Sequence, residues 1–249
     1  MIYVTNTPNY AGVAVCGDNR DMEAFYESLH TVTGEEGEYP AYELPRLRVL
    51  GFCYDIRHAL MGDREVIFED NGLDQDMMKR MSVVANDKNV YLKVHALWPE
   101  ILFVTMVLND FIMLYARKQA KIKYDVMLDR KNVWDPSIAQ VRVFQAALAS
   151  CIKETVTPHS FTRVMNLMNR DYTWFNGYVT HYLDILNCRF VSMDREKRLK
   201  GIPTMAKRIV EQGEEYQREK QEVLAAAEYY NTSVDNIKPY LDYPEEIDW

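Results

Sequence analysis

WPEILFVTMVLNDFIMLYARK, residues 98–118, decides how the rest of this chain has to be built. Between Ile101 and Ala116 only Thr105, Asn109 and Asp110 are polar. A helix apolar on nearly every face must be surrounded by protein or by lipid. That segment makes roughly 24 Å of helix, short of the ~30 Å hydrocarbon core of a bilayer. Asn109 and Asp110 near its middle are costly in lipid, and its flanks carry no strong basic anchor before Arg117. The stretch is read as the central buried helix of a soluble domain.

Composition sets the outer bounds. A chain of 249 residues, 48% hydrophobic and 27% charged, has enough material for one large core or two modest ones. Ten glycines and nine prolines are few, which favours long regular elements over a loop-rich β fold. The 17 tyrosines and four tryptophans suit either an aromatic core or a sticky interface. A net charge of −8 argues against a general polyanion binder, since neutralising phosphates needs a positive surface. Cys16, Cys53, Cys151 and Cys188 lie far apart in apolar contexts, so buried free thiols and a reducing compartment are expected. MIYVTNTPNY lacks the charged-then-apolar pattern of a signal peptide, so the expected location is the cytoplasm.

Upstream of the central helix, the runs 2–5 and 13–17 read as a β-hairpin joined by Asn6-Thr7-Pro8-Asn9-Tyr10-Ala11-Gly12. Asp18 or Asn19 caps a helix over 20–32, with Met22, Phe25, Tyr26 and Leu29 inward and Gly34 at its end. A second helix runs over 44–61, with Leu47, Leu50, Tyr54 and Ala59 or Leu60 as its apolar stripe. A strand at 65–68 and a short helix at 74–84 follow. The alternation of Val90, Leu92, Val94 and Ala96 then marks a half-buried strand. The front half thus reads β-β-α-α-β-α-β-α.

Downstream there is no convincing strand. Asp135-Pro136 and Thr157-Pro158 are helix starts, the first followed by the stripe Ile138, Val141, Phe144, Ala147 or Leu148, and Cys151 or Ile152. Residues 171–192 form a long aromatic helix carrying Trp174, Phe175, Tyr178, Tyr182, Ile185 and Phe190. Gly201-Ile202-Pro203 breaks the chain, and 204–230 is one exposed helix kinked at Gly213. The fold class is helix-dominated α+β, one domain over 1–249. About four short strands (within 1–118) pack on the central helix, and 119–249 is all helical.

No catalytic signature is present: no phosphate-binding glycine loop, no HExxH and no GxSxG. Asn6, Asn9 and Tyr10 have ligand-loop chemistry, although asparagines in a turn usually bond their own backbone. Asp55 with His58, and His181 with Asp184, each place a carboxylate and a histidine on one helical face, the spacing with which bundles hold metals. Ordinary hydrogen-bonded pairs are the simpler account, and neither a metal nor a cofactor is expected. Asp110 beside Asn109 is the sharper question, because a buried unpaired carboxylate costs several kcal/mol. Either it pairs with Arg46, Arg57 or His181, or it lines a cavity. Arg195, Lys197, Arg198, Lys200, Lys207 and Arg208 form a basic cluster next to Glu211, Glu214, Glu215 and Glu219, so an internal or dimeric charge match is preferred over nucleic acid.

Three groups of residues carry a resemblance. They are Asn6-Thr7-Pro8-Asn9-Tyr10 with Gly12 and Gly17-Asp18, then Trp98-Pro99-Glu100 with Asn109-Asp110-Phe111, and the run 198–206. In these the chain resembles an uncharacterised family of bacterial proteins without an assigned activity. The resemblance implies a bacterial cytosolic protein of one domain and carries over no catalytic residue. The leading expectation is an interaction or regulatory protein, self-associating or holding a protein partner, with no membrane and no nucleic acid. The acidic, aromatic tail over 242–249 would either dock on its own domain or be gripped by another chain. The alternative is a small-molecule enzyme or ligand-binding protein, with a pocket between sheet and central helix lined by Asp110, His181 and Asp184.

Overall fold

The computed structural model describes residues 1–169, 177–238 and 241–249. Strands β1 (Tyr3–Asn6) and β2 (Gly12–Gly17) form the expected hairpin, with Tyr3 opposite Cys16 and Asn6 opposite Val13. Its connector closes on itself: the Thr7 amide donates to the Gly12 carbonyl at 3.0 Å, and the Gly12 amide to Thr7 Oγ1 at 3.1 Å. A Cβ at Gly12 would stand 1.9 Å from the Ala96 carbonyl oxygen, so only glycine lets β2 approach the neighbouring strand here. Helix α1 (Asn19–Thr33) opens on a capping box between Asp18 and Asp21 and closes at Gly34, whose φ of 72° is left-handed.

Helix α2 (Glu43–Leu60) lies where the spacing placed it but turned about its axis. Its buried side chains are Val49, Phe52, Cys53, Ile56 and Ala59, while the expected core residues Leu47 and Tyr54 are 52% and 53% exposed. Two apolar stripes at helical spacing compete on this helix. The one containing Phe52 wins because that ring meets Phe25 of α1 and Phe144 of the later helix α6 (Pro136–Thr155) at centroid distances of 6.2 and 6.0 Å.

Strands β3 (Glu65–Asp70) and β4 (Lys88–Leu97), with helix α3 (Gln75–Met81) between them, complete an antiparallel sheet of order β1-β2-β4-β3. Helix α4 (Trp98–Gln119) starts at the residue after β4, with Pro99 in its first turn. Every residue from Ile101 to Leu108 is buried, as are Phe111, Ile112 and Ala116. By length and composition α4 could cross a membrane, but 67% of its most apolar window is covered by protein. The sheet and α1 meet it on one side; α8 (Gly177–Val191) and α9 (Arg195–Glu211) meet it on the other. Each large side chain sealed there contributes about 1.5–3 kcal/mol relative to exposure.

Beyond α4, a short helix α5 (Arg130–Val133) precedes α6, which Asp135 caps by accepting from the Ile138 amide at 2.9 Å. Helix α7 (Pro158–Met168) starts at Thr157 as expected. Of the long aromatic helix foreseen over 171–192, Trp174 and Phe175 lie outside the described residues. Among the described residues no strand follows β4.

Two expectations fail in the last third. Pro203 sits inside α9 instead of ending it. The ring costs about 3 kcal/mol in a helix interior, but burial of Ile202, Met205, Ala206 and Ile209 on both sides holds the helix together. Nor is 204–230 one exposed helix. Gln212 is left-handed with φ 46°, Gly213 caps a new helix α10 (Glu214–Tyr229), and Tyr216 is only 2% exposed.

Candidate functional site

Glu100 lies in the first turn of α4, where the positive end of the helix dipole favours a carboxylate. Arg48 of α2 reaches toward it, Nη1 to Oε2 at 3.7 Å, and holds Asp184 of α8 through Nη2 at 2.5 Å. The same Nη2 donates to the Thr180 carbonyl at 2.9 Å. Asn187, almost one helical turn beyond Asp184, donates Nδ2 to Glu100 at 2.7 Å. That bond fixes the amide, since the flipped orientation would set Oδ1 against a carboxylate. Asn187 Oδ1 is then left buried without a donor. Burial holds the Glu100 carboxyl above its ordinary range against the pull of Arg48 and Asn187. Burial also opposes the charge of Arg48, but Glu100 and Asp184 outweigh it and raise its pKa.

These groups border a cavity of about 640 Å³ between α2 and β4. The helix contributes Leu47, Arg48, Gly51, Phe52 and Asp55; the strand contributes Lys93, His95, Ala96 and Leu97. Glu100 and Asn187, the Arg64-Glu65 pair and Trp249 complete the lining. Its cations are matched one by one to carboxylates. Arg64 holds Asp55 at 2.7 Å, Lys93 holds Glu65 at 3.1 Å, and Arg48 faces Glu100. His95 stacks on Trp249, and burial followed by the nearby Lys93 keeps its pKa below the usual histidine value, so the ring is neutral at pH 7.

Gly51 is the informative wall residue. It stands in the middle of α2, where glycine costs about 1 kcal/mol against alanine. Packing gives no reason for it: a Cβ at Gly51 would meet no atom within 4 Å. Gly51 is solvent-exposed and borders the cavity, so the open space beside it lies at the cavity's rim.

A second cavity of about 350 Å³ lies on the other side of Arg48. His181 and Asp184 line it with Leu44, Leu47 and Thr180, so this sequence-predicted pair does reach a hollow. His181 Nε2 is 2.8 Å from the Ile237 carbonyl. Asp110 lines neither cavity. It sits beside Tyr42, and burial, opposed by that hydroxyl and Arg117, pushes its pKa up to about 6. The suggested partners are engaged elsewhere: Arg46 with Glu43 at 3.0 Å, Arg57 over the Tyr54 ring, and His181 as above. Asn109 Oδ1 accepts from Arg142 at 2.6 Å and Gln145 at 3.1 Å, beside a smaller hollow of about 260 Å³. The other carboxylate–histidine pair is split, Asp55 going to Arg64 and His58 to Asp63 at 3.1 Å. Among the described residues no three His, Cys, Asp or Glu side chains gather as a metal site.

The hairpin connector and the tail hold each other. Asn9 donates its amide to the Trp249 carbonyl at 2.9 Å and its Nδ2 to Asp248 at 2.6 Å. Asn6 Nδ2 is bound to Thr155 at 2.6 Å, and the Tyr10 ring lies under Arg195. Arg198, 3% exposed, donates to the carbonyls of Val191 at 2.7 Å, Asn9 at 3.2 Å and Asp248 at 2.6 Å. Tyr243 donates to the Asp184 carbonyl at 3.1 Å. The tail therefore docks on its own chain. The rest of the basic cluster is paired internally, Lys197 with Asp194, Lys200 with Glu196, Lys207 with Glu211 and Arg208 with Glu215.

Arg48, Gly51, Lys93, His95 and Asn187 were not singled out from the sequence as site residues, and Glu100 entered only among the residues of the resemblance. Two signals were there to be read: a glycine inside a helical pattern, and a carboxylate opening an apolar helix.

The chain matches the domain of unknown function DUF6904 over residues 2–249 and is a member of that family. No curated protein and no solved structure matches it.

Proposed function

We propose that this protein binds a small zwitterionic metabolite in the cavity between α2 and β4. The observation that carries the reading is a hollow lined by charges of both signs and bordered by Gly51, an exposed mid-helix glycine whose missing side chain leaves its rim open. The volume of about 640 Å³ suits a small molecule. The chemistry of the lining suggests its class. Arg48, Arg64 and Lys93 offer donors for a carboxylate or phosphate, while Glu100 and the Asn187 Oδ1 offer acceptors for an ammonium or amide. Phe52, Leu97 and Trp249 supply apolar surface for the body of the molecule. A ligand carrying both charges can engage both members of these internal pairs, whereas a singly charged one competes with one member and repels the other.

The reading places the protein in the cytoplasm, where the buried free thiols Cys16, Cys53 and Cys151 remain reduced. A thermal-shift panel of amino acids, dipeptides and amino sugars, run beside singly charged analogues, tests the assignment. A zwitterion is expected to raise the melting temperature where its singly charged analogues do not. A flat response across the panel, or an equal response to simple anions, contradicts it.

A further inference from the structure

The two edges of the sheet are treated differently. β1 is covered by α6, to which Asn6 is tied through Thr155. β3, with the sequence EVIFED, takes backbone partners from β4 alone among the described residues. Its Val66 and Phe68 are 42% and 63% exposed, and Val90, opposite Phe68 on β4, is 50% exposed. An open edge strand with bare apolar side chains is a template for another strand.

Its charges say which strand. An antiparallel pairing with a second copy that keeps like faces together centres on a single residue. Centred on Ile67, it sets Glu65 against the copy's Glu69 twice; centred on Phe68, it sets Ile67 against a glutamate and Val66 against an aspartate. Like charges directly opposite are destabilising, which opposes the first register, and acids set against bare apolar side chains oppose the second. The sheet already contains the strand that β3 accepts. β4 places Lys93 opposite Glu65 and Lys88 opposite Asp70, at 3.1 and 3.4 Å, with Leu92 and Val90 facing Val66 and Phe68.

We infer that the outer edge of β3 receives an extended segment of a partner protein with basic residues at its ends and apolar residues between them. The partner strand adds to the sheet through main-chain hydrogen bonds, and the basic residues at its two ends answer Glu65 and Asp70, as Lys93 and Lys88 of β4 do from the other side. The interaction expected from the sequence thus moves from the tail, which is docked, to this strand. It rests on observations separate from those of the cavity, with Glu65 common to both.

The probe is the end-blocked hexapeptide Lys-Asn-Val-Tyr-Leu-Lys, the sequence of β4 from Lys88 to Lys93, added to the full chain. Amide NMR shifts and hydrogen exchange over β3 are the readouts, beside the charge-reversed peptide Glu-Asn-Val-Tyr-Leu-Glu. The expected result is slower exchange across β3 with the lysine peptide only, weakened by salt. Phe68→Ser, at an exposed position, should weaken it about tenfold, and the double change Glu65→Lys, Asp70→Lys should reverse the preference between the peptides. Unchanged β3 amides, or equal binding of both peptides, overturns the inference. So does concentration-dependent self-association abolished by Phe68→Ser, which would give the edge to a second copy.

Discussion

Trp249 stacks on His95, with ring centroids 4.9 Å apart and planes inclined by 30°. The contact joins the tail to the strand that forms one wall of the cavity. A residue 154 positions later in the chain thus becomes part of the lining, and the stability of the tail and the shape of the hollow are linked. Arg198 is the fastener, since it holds the Asn9 and Asp248 carbonyls together from beneath.

Replacing Arg198 by alanine should therefore cost more than a basic surface residue would. Three carbonyls lose their donor in a nearly sealed place, which predicts about 2–4 kcal/mol of lost stability in urea unfolding. Proteolytic cleavage of the tail should accelerate in parallel. A loss below about 0.5 kcal/mol, the size of an ordinary surface substitution, would mean that the tail is held by other contacts.

Asp110→Asn should stabilise the protein at neutral pH. Burial raises its folded-state pKa to about 6 from an ordinary 3.8, so the folded state binds the proton more tightly than the unfolded chain. Stability is accordingly lost as pH rises from about 4 to about 6 and stays lost above that. The full shift corresponds to about 3 kcal/mol; partial solvent access reduces this to about 1–2 kcal/mol. Urea midpoints measured from pH 4 to 7 should fall in the native protein relative to the variant and converge with it at the acid end. Parallel curves would show that Asp110 ionises freely.

Gly12→Ala tests the close approach of β2 to β4. The added Cβ meets backbone at Ala96, which cannot swing away as a side chain can. A loss of about 3 kcal/mol or more is expected. A variant as stable as the native protein would mean that the two strands separate without penalty.

The hairpin, the caps at Asp18, Asp135 and Thr157, and the buried α4 were legible because each is local chemistry: turn residues, side-chain acceptors and unbroken apolarity. The face of α2 was not, because Leu47 and Phe52 both lie on helical stripes and only the rings of Phe25 and Phe144 choose between them. Pro203 misled because propensity is local and the burial that overrides it is not. Asp110, His181 and Asp184, expected to line a pocket between the sheet and the central helix, do not border the cavity between α2 and β4. His181 and Asp184 reach its neighbour, but Arg48, Glu100 and Asn187 come together from three helices with no spacing rule between them. Asp110, the most conspicuous charge in the sequence, sits beside a tyrosine instead.

The central claim is that the space beside Gly51 is kept for a ligand, and filling it is the most direct test. Gly51→Ala and Gly51→Phe should both fold, the alanine variant about 0.5–1 kcal/mol more stable than the native protein. Calorimetric titration with the zwitterion giving the largest thermal shift should then show near-native binding to Gly51→Ala and none to Gly51→Phe. Native affinity in a well-folded Gly51→Phe variant would contradict the account.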